Sequence, residues 1–359
     1  MYEPLWILAQ YHQAYVTGGT SRQVDIENPS NLGQQSTGSD TVPNLKWRFS
    51  DSKTQIYPGG WVREQVDNDL PQSHDIAASQ QHLRRVPFAG WGQVLFGRVL
   101  VSAVEENGRH QVTELGFGDI WYFPKDQAHT VQGLDDENEY LLAFDDGHFD
   151  SILAKSFGLP ESTFDNLPKT HPYIQNSTTS APARQRNTTG GAGELVADAS
   201  YVYRTFQYTP EPAPGGAGVW WKIDTTNFSI SKMIASMYVV LEPKGIRELH
   251  WHPIFEEWLY FHEGKGRATD FTGNSNSRTF DFGHGDTAVF SDNSGHYIEN
   301  TSKTQTLTWV EINKVDRVDD VSLTQLLALA PADIVADLKL PLNVVEGSKK
   351  EKQVLVHGK

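Results

Sequence analysis

The chain of 359 residues contains no cysteine. That removes disulfides and thiolate metal sites together, so any metal must be held by nitrogen and oxygen. Positive charge is also scarce: 30 Lys and Arg stand against 45 Asp and Glu, a formal charge of −15. Nucleic acid and anionic membrane surfaces both demand a basic footprint, so neither is expected as a partner. No apolar run approaches the roughly 20 residues that a membrane-spanning helix needs. The opening MYEPLWILAQYHQA has only a short apolar core, Leu5 to Ala9, and no basic residue before it, a poor fit to a secretory signal. Sequons at Asn176, Asn187, Asn227 and Asn300 point weakly outward, and localisation stays open.

What is plentiful favours strands. Gly 30 and Pro 18, with 17 Phe, 13 Tyr and 10 Trp, supply turns and a core. Short β-rich runs such as VLFGRVLVSAV (94–104) and MIASMYVVLEP (233–243) lie between Gly, Asp and Asn turns, the pattern of a sandwich or barrel.

Much of the chain is written twice. GDIWYFPKDQAH (118–129) matches GDTAVFSDNSGH (285–296) at an offset of 167, and Gly97 with Gly264 and Trp91 with Trp258 keep that offset. Further back the offset falls to 158, for Ile76-Ala77 with Ile234-Ala235 and for Gly60 with Gly218. The first repeat has therefore lost nine residues between Ala77 and Trp91, where the second carries ELHWHPIFEE. A second gap of about fifteen residues follows FDDGHFD (144–150), because Ile152 aligns with Ile334 at an offset of 182. Gaps this clean have two explanations: coding segments omitted at splice boundaries, or a degenerate first repeat.

The stretch missing from the first repeat is chemically loaded. In a strand, His250 and His252 point the same way and can hold one ion. Glu257 follows a short turn, and His296 arrives from a later strand of the same barrel. Three imidazoles and a carboxylate suit Mn(II) or Fe(II), with zinc or copper as alternatives. Isolated His-x-His pairs are often ordinary half-buried strand residues. Here Glu257 and the duplicated Gly-Asp…His unit favour the metal. In the first repeat only His129 has a ligand-type counterpart, and His82 reads as structural or exposed.

Gly245, His250, His252, Glu257 and Gly264, followed by Gly285-Asp286 and His296, are similar to the two motifs of the cupin superfamily. RELHWHP, GDIWYFP, YLLAFDDG and SKMIAS more narrowly resemble fungal bicupin oxalate decarboxylases, and the likeness runs over about residues 27–340. The resemblance implies an all-β fold of two tandem cupin barrels (double-stranded β-helix, jelly-roll-like) with short helical tails. It divides the chain into an N-terminal extension (1–44), a degenerate N-terminal cupin (45–170), a linker (171–204), a C-terminal cupin with the metal site (205–318) and a helical tail (319–359). VSLTQLLALAPADIVADLKL (321–340) reads as two helices broken at Pro331, the first capped by Ser322, and the lysine-rich end beyond it as frayed.

The resemblance also implies chemistry: manganese, with dioxygen as co-catalyst, splitting oxalate into formate and carbon dioxide. His250, His252, Glu257 and His296 would be the ligands, Arg247 would hold the substrate carboxylate, and Glu311 would move protons. In the first repeat it implies a lid carrying the decarboxylating glutamate where the second gap falls, so activity through the C-terminal site alone and at a reduced rate is expected. Oxalate oxidase chemistry yielding hydrogen peroxide and a non-catalytic metal-binding or storage bicupin are the competing expectations. Self-association as a trimer or hexamer and secretion follow from the resemblance only.

Overall fold

A computed structural model describes residues 42–57, 59–83, 90–124, 127–144, 193–195, 200–272 and 276–358. The extension before residue 42, most of the 171–204 linker, the junction at 147–152 and the sequons at Asn176 and Asn187 lie outside them.

Two barrels of antiparallel strands stand side by side. The larger sheet of the second runs Lys46–Arg48, Asp286–Phe290, Glu257–Glu263, Leu307–Asn313, Ala235–Leu241, Gly218–Ile223 and Glu211–Pro212. Its equivalent in the first runs Val202–Tyr203, Ile120–Tyr122, Trp91–Phe96, Asn138–Phe144, Ala77–Leu83, Gly60–Gln65 and Gln55–Tyr57. Strands 60–65 and 77–83 map onto 218–223 and 235–241 at the offset of 158. The repeat is therefore structural, and the all-β expectation holds.

Each repeat lends a strand to the other. Lys46–Arg48, ahead of the first barrel, pairs with Asp286–Ala288 of the second. Val202–Tyr203, ahead of the second, pairs with Ile120–Trp121 of the first. The repeated Gly-Asp carries this exchange. Asp286 accepts a backbone hydrogen bond from Gly283 (2.8 Å) and pairs with Arg48 (2.5 Å) on the visiting strand. Asp119 accepts from Gly116 (3.0 Å) and pairs with Arg204 (2.5 Å), beside the other visiting strand.

The two large sheets pack face to face. Phe49, Ile76, Trp91 and Leu141 share one buried cluster with Ile234, Trp258, Val310 and Ile312. Strand 307–313 is consequently buried on both faces, and its run LTWVEIN shows little apolar alternation. Odd residues Trp309 and Glu311 are available to the barrel interior, while Val310 and Ile312 belong to the cluster between the barrels. Glu256 adds a polar clasp: its buried carboxylate accepts the backbone N–H groups of His74 (3.0 Å), Asp75 (2.8 Å) and Ile76 (3.0 Å).

The smaller sheets differ. In the second barrel Gly295–Asn300 pairs with Gly266–Thr272 on one side and with Gly245–Trp251 on the other. Its counterpart Ala128–Gly133 pairs with Val99–Val104, and among the described residues no strand takes the place of Gly245–Trp251. This is the position of the nine-residue gap. The first barrel fills its interior differently, too. A Cβ on Gly92 would lie 2.1 Å from the Trp121 ring, whereas Leu259 and Ala288 stand at the corresponding positions, so the bulk has changed strands.

The tail departs from expectation. Helix α1 (Leu323–Leu329) is capped by Ser322, which accepts from the Gln325 backbone, and α2 (Ala332–Asp337) follows Pro331 as expected. A third helix, α3 (Leu342–Glu346), was not foreseen. The end is not frayed: Leu355–His357 forms a strand paired with Gly245–Arg247, because that strand offers an open edge whose backbone groups need partners. Of the two sequons within the described residues, Asn300 is buried, and its amide donates to the Leu241, Glu242 and Gln305 carbonyls. It is closed to glycosylation in the folded chain.

Gly92→Ala should destabilise the protein by at least about 1–3 kcal/mol, because Trp121 cannot leave a packed interior cheaply. Denaturant unfolding reads this directly, and a midpoint equal to wild type would refute the volume exchange.

Candidate metal centre

His250, His252, Glu257 and His296 converge, with one ligand atom of each within 4.8 Å of the others, and all four are buried. His250 and His252 come from the end of strand 245–251, Glu257 opens strand 257–263, and His296 lies on strand 295–300. These are the four residues that spacing singled out. No other such cluster occurs among the described residues.

A bulge completes the arrangement. Arg247 pairs with Ile298 and His250 with His296, so three steps on one strand match two on the other. Simple alternation would send Arg247 and His250 to opposite faces. The extra residue turns both inward, because a bulge shifts the phase by one. Arg247 is 1% exposed and the four ligand-type residues are at most 1% exposed.

The imidazoles are set up as ligands. Nδ1 of His250 lies 2.8 Å from the Glu248 carbonyl, that of His252 2.9 Å from Asp319 O, and that of His296 3.0 Å from Ser294 O. A carbonyl can only accept, so each Nδ1 is the donor there and Nε2 is the atom turned toward the cluster, where that of His296 lies 2.6 Å from Oε2 of Glu257. Phe290 stacks on His296 at 4.1 Å and fixes its plane. Nε2 of His250 and His252 and Oε1 of Glu257 have no hydrogen-bond partner though buried. Leaving such atoms unsatisfied is costly, and a cation among them removes that cost. Three nitrogens and a carboxylate fit manganese or another divalent first-row ion.

Electrostatics agree. Burial, then the nearby Arg247 charge, holds the His250 imidazole well below its ordinary pKa, in the neutral form a metal requires. Burial pushes the Glu257 carboxyl up, but His252 and His296 outweigh it and hold it well below the usual range. Glu311 goes the other way: burial first, then the charge of Glu257, raises its carboxyl well above the usual range. It accepts from Trp309 Nε1 (2.9 Å) through Oε1, while Oε2 is buried without a partner. A buried carboxyl raised in this way is chemically able to donate a proton.

Arg247 gives one hydrogen bond, from Nη2 to Asp320 (2.7 Å), and its Nε and Nη1 are buried with no partner. Beyond the ligand-type residues and Arg247, the sequence pointed to Glu311 and not to Asp320. The acidic pair before α1 offers no spacing signal, since its contact spans 73 residues.

The first barrel keeps fragments of the same design. His129 stacks on Phe123 (4.4 Å) as His296 does on Phe290, and its Nδ1 faces the Gln127 carbonyl two residues back. At the matching positions, however, Gly90 replaces Glu257 and Phe144 replaces Glu311. His82 is structural: it stacks on Trp61 and pairs with Glu137.

Comparison with known proteins agrees with this geometry. The Cupin family profile matches residues 215–337. A probable oxalate decarboxylase of Arthroderma benhamiae is 48% identical, the match covering 96% of this chain and 91% of that protein. Its alignment spans 370 positions, more than the chain has, so the relative carries residues without a counterpart here. Bacillus subtilis oxalate decarboxylase OxdC is 34% identical over 93% of this chain and 92% of that one. A solved structure of an OxdC variant superposes with a TM-score of 0.80 at 34% identity, covering 95% and 96% of the two chains. Another OxdC structure, with the same TM-score, concerns Mn(II) centres in that enzyme.

Metal analysis of the purified protein should give close to one manganese per chain. His250→Ala should lose it, along with the rise in melting temperature that manganese confers on the parent, since binding to the folded state alone stabilises it. Two equivalents in the parent, or full retention in the variant, would contradict this site.

Proposed function

The chain belongs to the bicupin oxalate decarboxylases, and on that premise we propose that it splits oxalate into formate and carbon dioxide at the second-barrel site alone, more slowly than a bicupin with two complete sites. The observation that carries this reading is the pairing of Arg247, with two buried donors unused, and the protonated acid Glu311 around the three-histidine, one-carboxylate cluster.

Manganese, held by His250, His252, Glu257 and His296, would supply with dioxygen the one-electron chemistry that weakens the carbon–carbon bond of oxalate. The residues do the rest. Arg247 receives a substrate carboxylate on its free Nε and Nη1, a planar donor set that fits carboxylate better than an ammonium does. The closed apolar wall, including Phe290, keeps water out and strengthens that attraction. Glu311 holds a proton on its carboxyl and gives it to the carbon from which carbon dioxide has departed, so that oxalate dianion and one proton become formate and carbon dioxide. Trp309 Nε1 then steadies the carboxylate left behind.

Reduced activity rests on the first barrel, where Gly90 and Phe144 stand in place of a ligand and an acid. Self-association is part of the same proposal: Leu326, Leu329, Ile334 and Leu338 on and beside α1 and α2 are exposed, and light scattering would give the copy number.

Manganese-loaded protein incubated with oxalate at about pH 4–5, where carboxyl groups of ordinary pKa still donate, should form formate slowly with measurable hydrogen peroxide. Glu311→Gln should cut formate about 100-fold or more at unchanged manganese content, the usual cost of losing a general acid. Peroxide without formate would make the protein an oxidase. Metal retention without oxalate turnover would make it a binding protein.

A further inference from the structure

The edge of strand 245–251 is covered by two short pieces from the end of the chain. Val321–Ser322 pairs with His250 and Trp251, and Leu355–His357 pairs with Gly245–Arg247. The Glu248 backbone N–H donates to Val354 O (2.8 Å), and its carboxylate accepts the hydroxyls of Ser322 (2.8 Å) and Thr324. Together these contacts fix the two pieces against the strand that carries the metal ligands and Arg247.

They deliver two charges. Asp320, from the first piece, accepts from Arg247 Nη2 at 2.7 Å. Lys352, just ahead of the second, pairs with the same carboxylate and donates to the Asp320 backbone carbonyl at 2.9 Å. The Asp320 side chain is 8% exposed and that of Lys352 36%. One carboxylate is thus shared by two cations, and these three side chains sum to one positive charge, with Glu248 acting on both cations and Asp319 on Lys352.

We propose that Asp320 and Lys352 are positioning residues for oxalate: Asp320 holds Arg247 by one arm so that its other donors face the substrate, and Lys352 offsets Asp320 so that Arg247 remains an effective cation. This rests on the reading of Arg247 as the substrate anchor. Without Lys352, Arg247 and Asp320 would form a neutral pair, and a dianion would gain little by entering. Burial, then the Arg247 charge, pushes the Lys352 ammonium down to about 8, so it stays charged at the acid pH of the assay. The arrangement also answers the charge of −15 on the whole chain: attraction for an anionic substrate has to be built locally.

The test uses the full manganese-loaded chain, with anion binding followed by calorimetry under argon so that no turnover occurs. Lys352→Met should weaken oxalate about tenfold, the effect of one charge at partly buried range. It should weaken the monoanion acetate only about threefold, since half the charge feels half the energy. Lys352→Arg should restore both affinities, and manganese content should not change. Asp320→Asn should behave oppositely: oxalate affinity holds or rises as the negative charge goes, while kcat falls because Arg247 is no longer held. The inference is overturned if oxalate affinity survives Lys352→Met, if both anions lose equally, if Lys352→Arg behaves like Lys352→Met, or if Asp320→Asn weakens oxalate as Lys352→Met does. Arg247→Ala separates the two levels. Unchanged oxalate binding there refutes the anchor itself, whereas lost binding there with none lost in Lys352→Met refutes only this inference.

Discussion

One extra residue in strand 245–251 decides what the second barrel can do. The bulge between Arg247 and His250 brings a guanidinium and the imidazoles to the same interior face. With regular alternation the histidines could still meet Glu257 and His296, but Arg247 would point out of the barrel and a buried anion would find no cation beside the metal site. The bulge also breaks the ladder on that strand. Its free edge is covered by segments arriving from beyond residue 320, which is why the tail is ordered and why its charges reach the site.

Charge compensation is the second constraint. Arg247, Glu257, Glu311 and Asp320 all lie in a barrel with little access to water, where an unpaired charge is expensive. The molecule resolves this by differentiating its acids. The histidines hold the Glu257 carboxyl well below its usual range, Asp320 is paired with Arg247 and Lys352, and burial, then the Glu257 charge, pushes the Glu311 carboxyl well up. Three acids in one small volume are therefore differentiated: one is held acidic, one is ion-paired and one has its carboxyl pushed up.

The parts legible in the sequence were those written in residue types at short or repeated spacing. His250, His252 and Glu257 sit within eight positions, and His296 was marked by its match to His129 at the same offset as the Gly-Asp pair. Barrel architecture followed from strand-like runs and from resemblance. Three things were not legible. The bulge depends on pairing register, which no single strand reveals. The exchange of Lys46–Arg48 and Val202–Tyr203 depends on where each arm lands; the first fell at the start of the N-terminal cupin (45–170) and the second in the linker (171–204). Asp320 and Lys352 belong to a tail whose composition suggested helices and fraying, because a strand of three residues is stabilised by the edge it joins rather than by its own propensity.

The exchange gives the first barrel a purpose that does not require a metal. Glu256, which gathers three backbone N–H groups from residues 74–76, is the immediate neighbour of the candidate ligand Glu257. One residue further, Trp258 donates to Gln65 of the first barrel at 2.8 Å. The strand that presents the Glu257 carboxylate is therefore held at its start from the opposite repeat. Asp286, four residues before the Phe290 that stacks on His296, is gripped by Arg48 from that same direction. The counterpart of Glu256 in the first repeat is Ala89, so the equivalent carboxylate clasp cannot form in the other direction. A repeat without the four-residue cluster can keep its large sheet intact for this reason: strands 60–65, 77–83 and 91–96 pack against the half that carries His250, His252, Glu257 and His296.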